Sequence, residues 1–165
     1  MKIICIGRNY VEHAKELNNA VPGEPVFFLK PDTAVLPRDR AFYLPDFSKD
    51  IHHEIELVLK ISKEGKKIAE EFAYRYFDQI TVGIDFTARD IQQKQKEKGL
   101  PWEPAKAFDH SAPCGDFIDF SKLKFIFFQI KNCGGFVAKS DYPILKHAGL
   151  FVQFKLRFHF IFCIA

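Results

Sequence analysis

The sequence lacks the features that mark membrane, secreted and zinc-binding proteins. No apolar run in its 165 residues reaches the roughly 18 residues of a membrane-spanning helix, so we predict no membrane association. The first residues do not have the architecture of a secretion signal, because their apolar run is short and is followed by Arg8. The four cysteines are far apart and form no C-x-x-C pair. This spacing argues against a zinc site or a disulfide framework and predicts a reduced protein of the cytoplasm.

Acidic residues almost vanish from the last quarter of the chain. Residues 1–121 contain 17 basic and 20 acidic residues and carry a net charge of −3, whereas residues 122–165 contain seven basic residues and one acid and carry +6. The same quarter holds nine of the 19 Phe residues. Its lysines are scattered and no recognition motif accompanies them, so we predict no nucleic-acid binding.

The order of predicted elements favours a β-rich α+β fold in one domain. Apolar stretches predict strands at 2–6, 26–29, 51–61 and 80–86. Helices are predicted at 10–17, 68–76 and 88–98, the last with Thr87 as its cap and Gly99 as its end. The loops between these elements are long and polar, which argues against a regular array of βαβ units.

Two glutamates stand two residues apart in the strand predicted at 51–61. Because side chains alternate along a strand, Glu54 and Glu56 point to the same face. Like charges at this separation repel unless something neutralises them, and a hard divalent cation such as Mg²⁺ prefers carboxylate oxygen. The alternative is an exposed strand face with two solvated glutamates. Only His52 of the two adjacent histidines would share the glutamate face, and neither His52 nor His53 is assigned as a ligand.

Polar residues at the next strand and helix could extend such a site. Asp85 lies near the end of the strand predicted at 80–86 and could add a third carboxylate, or it could cap the following helix instead. Arg89 and Gln92 share one face of that helix and could bind a carboxylate, or they could form a solvated surface.

Acid–base and cationic candidates come from other segments. His13 and Glu16 lie three residues apart on the first predicted helix, and a histidine oriented by a carboxylate can take a proton from water near neutral pH. The alternative is an ordinary surface pair. Lys30 and Lys106 could each neutralise an anionic substrate or a developing enolate, or could be surface lysines.

Five motifs follow one another over residues 1–108. They are GRNY at 7–10 with His13 and Glu16, PVFFLKP at 25–31, HEIEL at 53–57, DFTARD at 85–90, and KGLPW at 98–102 with Ala105 and Lys106. In this order they resemble the fumarylacetoacetate hydrolase family, in particular its small acylpyruvase and oxaloacetate-decarboxylase-like members. One motif alone would not be specific, but five in sequence are.

The resemblance implies a fold, a cofactor and a set of site residues. The family fold is a mixed β-sheet roll that is commonly a homodimer, and it binds Mg²⁺ or Mn²⁺. The implied metal ligands are Glu54, Glu56 and Asp85. The implied catalytic residues are His13 and Glu16, which would activate water from a mobile lid helix, and Lys106, which would hold the polarised oxygen of the substrate. The implied substrate-binding residues are Arg8, Lys30, Arg89 and Gln92.

The implied reaction is metal-dependent hydrolysis of a C–C bond in a small 2-oxo acid of the acylpyruvate or fumarylacetoacetate type. In the family such a substrate chelates the metal, water activated at His13 attacks the distal carbonyl, and cleavage releases the enolate of pyruvate. Two alternatives within the family are decarboxylation of oxaloacetate, in which no water attacks, and isomerisation or hydration of 2-hydroxymuconate-type acids.

The resemblance ends near residue 124. We interpret residues 1–124 as the catalytic region and residues 125–165 as an atypical basic, Phe-rich tail. The Gly-Thr-Pro-rich loop that closes the family's substrate site has no counterpart here, so we expect a roll that is incomplete at its C-terminus. A change of reading frame would explain the altered composition, and resequencing the locus would test this. The remaining hypothesis is an inactive fragment that binds metal without turnover.

Overall fold

The computed structural model describes two stretches of the chain in full. These are residues 1–7 and 24–123. Beyond them it describes only the backbone of three short strands, at Phe125–Ile126, Tyr142–Pro143 and His159–Ile164. The helix predicted at 10–17 lies outside the described residues.

A mixed β-sheet of six strands forms the centre of the structure. The described residues form eight strands, of which six belong to this sheet. In chain order they are β1 Lys2–Gly7, β2 Val26–Lys30, β3 Ile51–Ile61, β4 Phe77–Ala88, β5 Ile118–Asp119, β6 Phe125–Ile126, β7 Tyr142–Pro143 and β8 His159–Ile164. The large sheet has the order β2-β1-β8-β3-β4-β5, and β6 pairs with β7 separately. Within the large sheet β3 and β8 are parallel, and the other neighbours are antiparallel. The β-rich α+β class that the sequence predicts is therefore confirmed.

Helices are few and short in the described residues. Helix α1 spans Arg89–Lys98 and helix α2 spans Glu103–Lys106, and neither is long and apolar enough to cross a membrane. The end of α1 at Gly99 is as predicted, because Gly99 adopts a left-handed conformation with φ 64° that glycine accommodates without strain.

Two helix predictions are wrong. The helix predicted at 68–76 is only a 3-10 helix at Glu70–Arg75 with no buried residue, so it lacks the buried apolar face that would stabilise a longer α-helix. Thr87 does not cap α1, and Asp85 does not either, because both lie inside β4. The ladder with β3 continues to Ala88, and this pairing extends the strand past the predicted end at residue 86.

Residues 56–59 of β3 are buried on both faces of the sheet, which explains the apolar run Leu57-Val58-Leu59. On one face Val58 packs in a cluster whose other members are Ile3, Cys5, Phe28, Ala34 and Ala112. On the opposite face Leu57 and Leu59 pack against Ile80. Glu54 and Glu56 precede Val58 at intervals of two residues, so the fold places both carboxylates on the face of the first cluster.

Segment 111–115 runs along the outer edge of β4 and brings polar atoms to the same face. The amides of Ile84 and Phe86 donate to the carbonyls of Pro113 and Ser111, each at 2.9 Å. Gly83 permits this approach, since a Cβ added there would lie 2.8 Å from Val58 Cγ2 and 3.2 Å from the Pro113 carbonyl oxygen.

We therefore expect Gly83→Ala to lower the free energy of unfolding by about 1–3 kcal/mol, because overpacking a buried position forces its neighbours apart. Urea unfolding followed by circular dichroism measures this change. Gly99→Ala is the comparison, since a Cβ there meets nothing within 4 Å and the cost comes only from the left-handed backbone. A Gly83→Ala variant as stable as the wild type would contradict the packing argument.

Candidate metal centre

Three carboxylates meet where β3 and β4 pair. Glu54 and Asp85 are direct cross-strand partners, and Glu56 stands opposite Gly83 on the same face. One oxygen from each of the three carboxylates lies within 4.8 Å of the others. Glu56 is 1% exposed and Asp85 is 2% exposed. Buried carboxylates are costly unless cations compensate them, so this position requires positive charge.

The donor set fits a hard divalent cation. All three groups offer carboxylate oxygen, which Mg²⁺ and Mn²⁺ prefer. The three groups already lie close together, with one oxygen of each within 4.8 Å of the others. Glu54, Glu56 and Asp85 could therefore hold one such ion and leave further positions for water or substrate.

The ammonium of Lys106 lies directly against this cluster. Its Nζ donates to Glu54 Oε2 at 2.7 Å, to Asp85 Oδ2 at 2.6 Å and to Thr87 Oγ1 at 2.6 Å. Burial by itself would lower the pKa of Lys106, but the Asp85 and Glu54 carboxylates outweigh it and raise the pKa above its usual value. The ammonium therefore stays charged at neutral pH.

Two further cations complete the charge balance. The side chain of Lys30 is fully buried, and its Nζ lies 2.8 Å from Asp85 Oδ1. Arg89, at the start of α1, contacts Glu54 through Nη2 and donates from Nη1 to Gln92 Oε1 at 2.7 Å. Three cationic side chains from three different elements thus contact Glu54 and Asp85, two of the three carboxylates.

The charge of this cluster also affects the pKa of the Cys5 thiol on β1. Burial raises the pKa of Cys5 well above its ordinary value, and the nearby Asp85 carboxylate raises it further. Cys5 is therefore a neutral thiol in the apolar wall beneath the carboxylates rather than a nucleophile.

The structure brings seven of the ten sequence-predicted site residues together. These are Lys30, Glu54, Glu56, Asp85, Arg89, Gln92 and Lys106. The other three, Arg8, His13 and Glu16, lie outside the described residues, so their roles stay predictions. His52, which the sequence analysis does not assign as a ligand, is exposed and lies 3.0 Å from Asp50 instead.

Two residues of the site are not found from the sequence. Thr87 is predicted as a helix cap, although its spacing of two from Asp85 would place it on the carboxylate face of an extended strand. Ser111 has no local signal. Its hydroxyl accepts from Lys30 Nζ at 2.9 Å and donates to the Lys106 carbonyl at 3.0 Å, contacts that only the tertiary fold creates.

Comparisons with known proteins identify the family of this chain. Residues 2–124 match the family profile described as fumarylacetoacetate (FAA) hydrolase C-terminal. The mitochondrial oxaloacetate tautomerase FAHD1 of Mus musculus is 42% identical over 121 residues, which are 73% of this chain and 55% of that protein. The oxaloacetate tautomerase YcgM of Escherichia coli is 42% identical over 117 residues, which are 71% of this chain and 53% of that protein.

A solved structure extends the comparison to three dimensions. Fumarylpyruvate hydrolase from Pseudomonas aeruginosa, in complex with Mn²⁺ and pyruvate, superimposes with a TM-score of 0.75 at 34% sequence identity and covers 96% of this chain and 74% of its own. The chain spans about half the length of the curated relatives it matches. From the matched profile, the identities and the shared fold, we conclude that this chain belongs to the fumarylacetoacetate hydrolase family.

Proposed function

We propose that this chain is the catalytic region of a metal-dependent enzyme that hydrolyses a C–C bond in a small acylpyruvate-type 2-oxo acid. The observation that carries the proposal is the Lys106 ammonium, held 2.7 Å from Glu54 and 2.6 Å from Asp85 beside a third carboxylate. The site thus combines carboxylate oxygens that can hold a cation with an ammonium in a fixed position. This combination suits a substrate that develops negative charge on an oxygen.

Each residue then has a role that follows from its chemistry. When bound at the carboxylates, Mg²⁺ or Mn²⁺ supplies a Lewis acid that polarises a carbonyl oxygen. Lys106 stabilises the negative charge of the departing enolate. Arg89 uses only part of its guanidinium on Glu54 and Gln92, so its remaining donors can bind the carboxylate of a 2-oxo acid.

The hydrolytic step requires a base for water. We assign this role to His13, oriented by Glu16, as the family resemblance implies. His13 takes a proton from the water that adds to the distal carbonyl. The C–C bond then breaks to give a carboxylic acid and the enolate of pyruvate, which is protonated to pyruvate.

A second candidate is a reaction of oxaloacetate, by decarboxylation or by keto–enol exchange. It is favoured by the names of relatives, among them an oxaloacetate decarboxylase from Dictyostelium discoideum that is 44% identical over 124 residues. Decarboxylation and keto–enol exchange of oxaloacetate both develop negative charge on the oxygen of the 2-oxo group, so both would use Lys106. Unlike hydrolysis, neither of them needs an attacking water. Isomerisation or hydration of a 2-hydroxymuconate-type acid would also use the carboxylate site, and an inactive fragment would bind metal there without turnover.

The oligomeric state, the location and the cofactor of the whole protein are also proposals. We propose a homodimer on the family resemblance and a cytoplasmic location on the cysteine pattern, although several relatives are named as mitochondrial proteins. We also propose Mg²⁺ or Mn²⁺ as the cofactor, since both accept a set of three carboxylates with water.

Metal binding is the first testable consequence. We expect Glu56→Gln to weaken Mn²⁺ binding by at least about tenfold, since it removes one charged oxygen ligand while keeping the size of the side chain. Titration of the purified chain with Mn²⁺, with the free ion followed by electron paramagnetic resonance, measures the affinity. Glu97→Gln makes the same change on the exposed surface of α1 and should bind like the wild type. Equal affinity in all three proteins would exclude the carboxylate site.

Turnover is tested with acetopyruvate, a short acylpyruvate. We expect the full chain to release pyruvate with Mg²⁺. We expect EDTA or Glu54→Ala to abolish the release, because EDTA removes the metal ion and Glu54→Ala removes one of its ligands. A coupled lactate dehydrogenase assay follows pyruvate. Folded protein that binds Mn²⁺ but releases no pyruvate would favour the inactive fragment.

His13→Ala separates the two candidate reactions. We expect it to slow acetopyruvate hydrolysis by about 10²–10⁴-fold, the usual contribution of a general base. Oxaloacetate decarboxylation should be nearly unaffected, because no water needs activation, and the two rates are measured side by side on one preparation. If both reactions slow equally, His13 does not act as the base for water.

A further inference from the structure

Lys106 has a third acceptor that is not a carboxylate. An ammonium has three N–H donors, and those of Lys106 are directed at Glu54, Asp85 and the hydroxyl of Thr87. The Thr87 contact, at 2.6 Å, is as short as the contact to Asp85. Among these three acceptors only Thr87 is neutral, so its hydrogen bond does not depend on how a divalent cation shares the charge of the two carboxylates.

The other end of Lys106 is already fixed. Its backbone carbonyl accepts from Ser111 Oγ at 3.0 Å and from the ammonium of Lys30, and α2 is buried at this residue. A long side chain anchored at its backbone can still point its ammonium in several directions. The hydrogen-bond acceptors of the Lys106 ammonium therefore determine its position.

The position of Thr87 suits an acceptor that keeps its hydrogen bond to Lys106 whether or not a cation is bound. It lies two residues after Asp85 on β4, so both side chains belong to the same face of the sheet. It is completely buried. A β-branched side chain in a strand has few rotamers, so its hydroxyl holds a fixed position.

We propose that Thr87 is a positioning residue that holds the ammonium of Lys106 at the carboxylate cluster. This assignment rests on the proposed function for its catalytic consequence, since Lys106 is the group that would touch the substrate. It gives Thr87 a role that is separate from metal binding: the hydroxyl directs a charged donor and contributes no ligand.

The test compares Thr87→Val, which removes the hydroxyl and keeps the shape, with Thr87→Ser, which keeps the hydroxyl. With Mn²⁺ and acetopyruvate we expect Thr87→Val to lower kcat by about 10–100-fold, as displacement of a charge-stabilising donor does. KM and the Mn²⁺ dissociation constant should stay near the wild-type values. Thr87→Ser should restore kcat. A Thr87→Val variant with wild-type kcat, or a Thr87→Ser variant as slow as Thr87→Val, would overturn the proposal.

Thr81→Val is the matched control. Thr81 is a buried threonine on the same strand and the same face, six residues from Thr87 and far from Lys106 along β4. It undergoes the same chemical change, so a general loss of packing would affect both variants. We expect Thr81→Val to keep the wild-type kcat, and an equal fall of kcat in the two Val variants would assign the effect to the fold and overturn the proposal.

A measurement without turnover separates this inference from the proposed function. A buried, hydrogen-bonded ammonium exchanges its protons slowly enough to give a ¹H–¹⁵N NMR signal, and Lys106→Arg identifies the signal by its disappearance. We expect the Lys106 signal to be lost in Thr87→Val and kept in Thr87→Ser and Thr81→Val. A Lys106 signal unchanged in Thr87→Val would overturn the positioning role whatever the wild-type chain catalyses. Absence of wild-type turnover with the expected NMR result would overturn only the proposed function.

Discussion

The need to neutralise three closely spaced carboxylates is the constraint on which the rest of the site depends. Glu54, Glu56 and Asp85 share one face of the β3–β4 ladder, and the last two are almost completely buried. Such a cluster is tolerated in a protein interior only when positive charge stands close to it. The surrounding structure supplies that charge from β2, α1 and α2, through the side chains of Lys30, Arg89 and Lys106.

The β-ladder fixes this arrangement more rigidly than loops could. Direct pairing of Glu54 with Asp85 sets their separation, and the period of two carries Glu56 and Thr87 to the same face. Gly83 leaves room for segment 111–115 to pair along the outer edge of β4, which brings Ser111 beneath Lys106. A site built on paired strands holds its groups within narrow limits, as catalysis by positioned charge requires.

Local sequence patterns predict much of the fold. Strands β1, β2 and β3 are predicted nearly to their ends because glycine, proline or polar turn residues bound each of them in the sequence. The predictions for the end of β4 and for the helix at 68–76 are wrong for one reason. Pairing with β3 extends β4 to Ala88, and the absence of a buried face leaves residues 70–75 as a 3-10 helix. Strand pairing and burial are both set by tertiary packing, which local sequence patterns do not contain.

The sequence by itself determined which residue types could carry chemistry: two glutamates on one strand face, an aspartate on the next strand, and the ordered motifs that imply their use. It could not determine that Lys30 is fully buried against Asp85, nor that Thr87 and Ser111 hold Lys106. Only the tertiary structure decided these contacts, because residues 30, 87, 106 and 111 meet through strand pairing and loop packing. No local periodicity encodes such hydrogen bonds between distant segments.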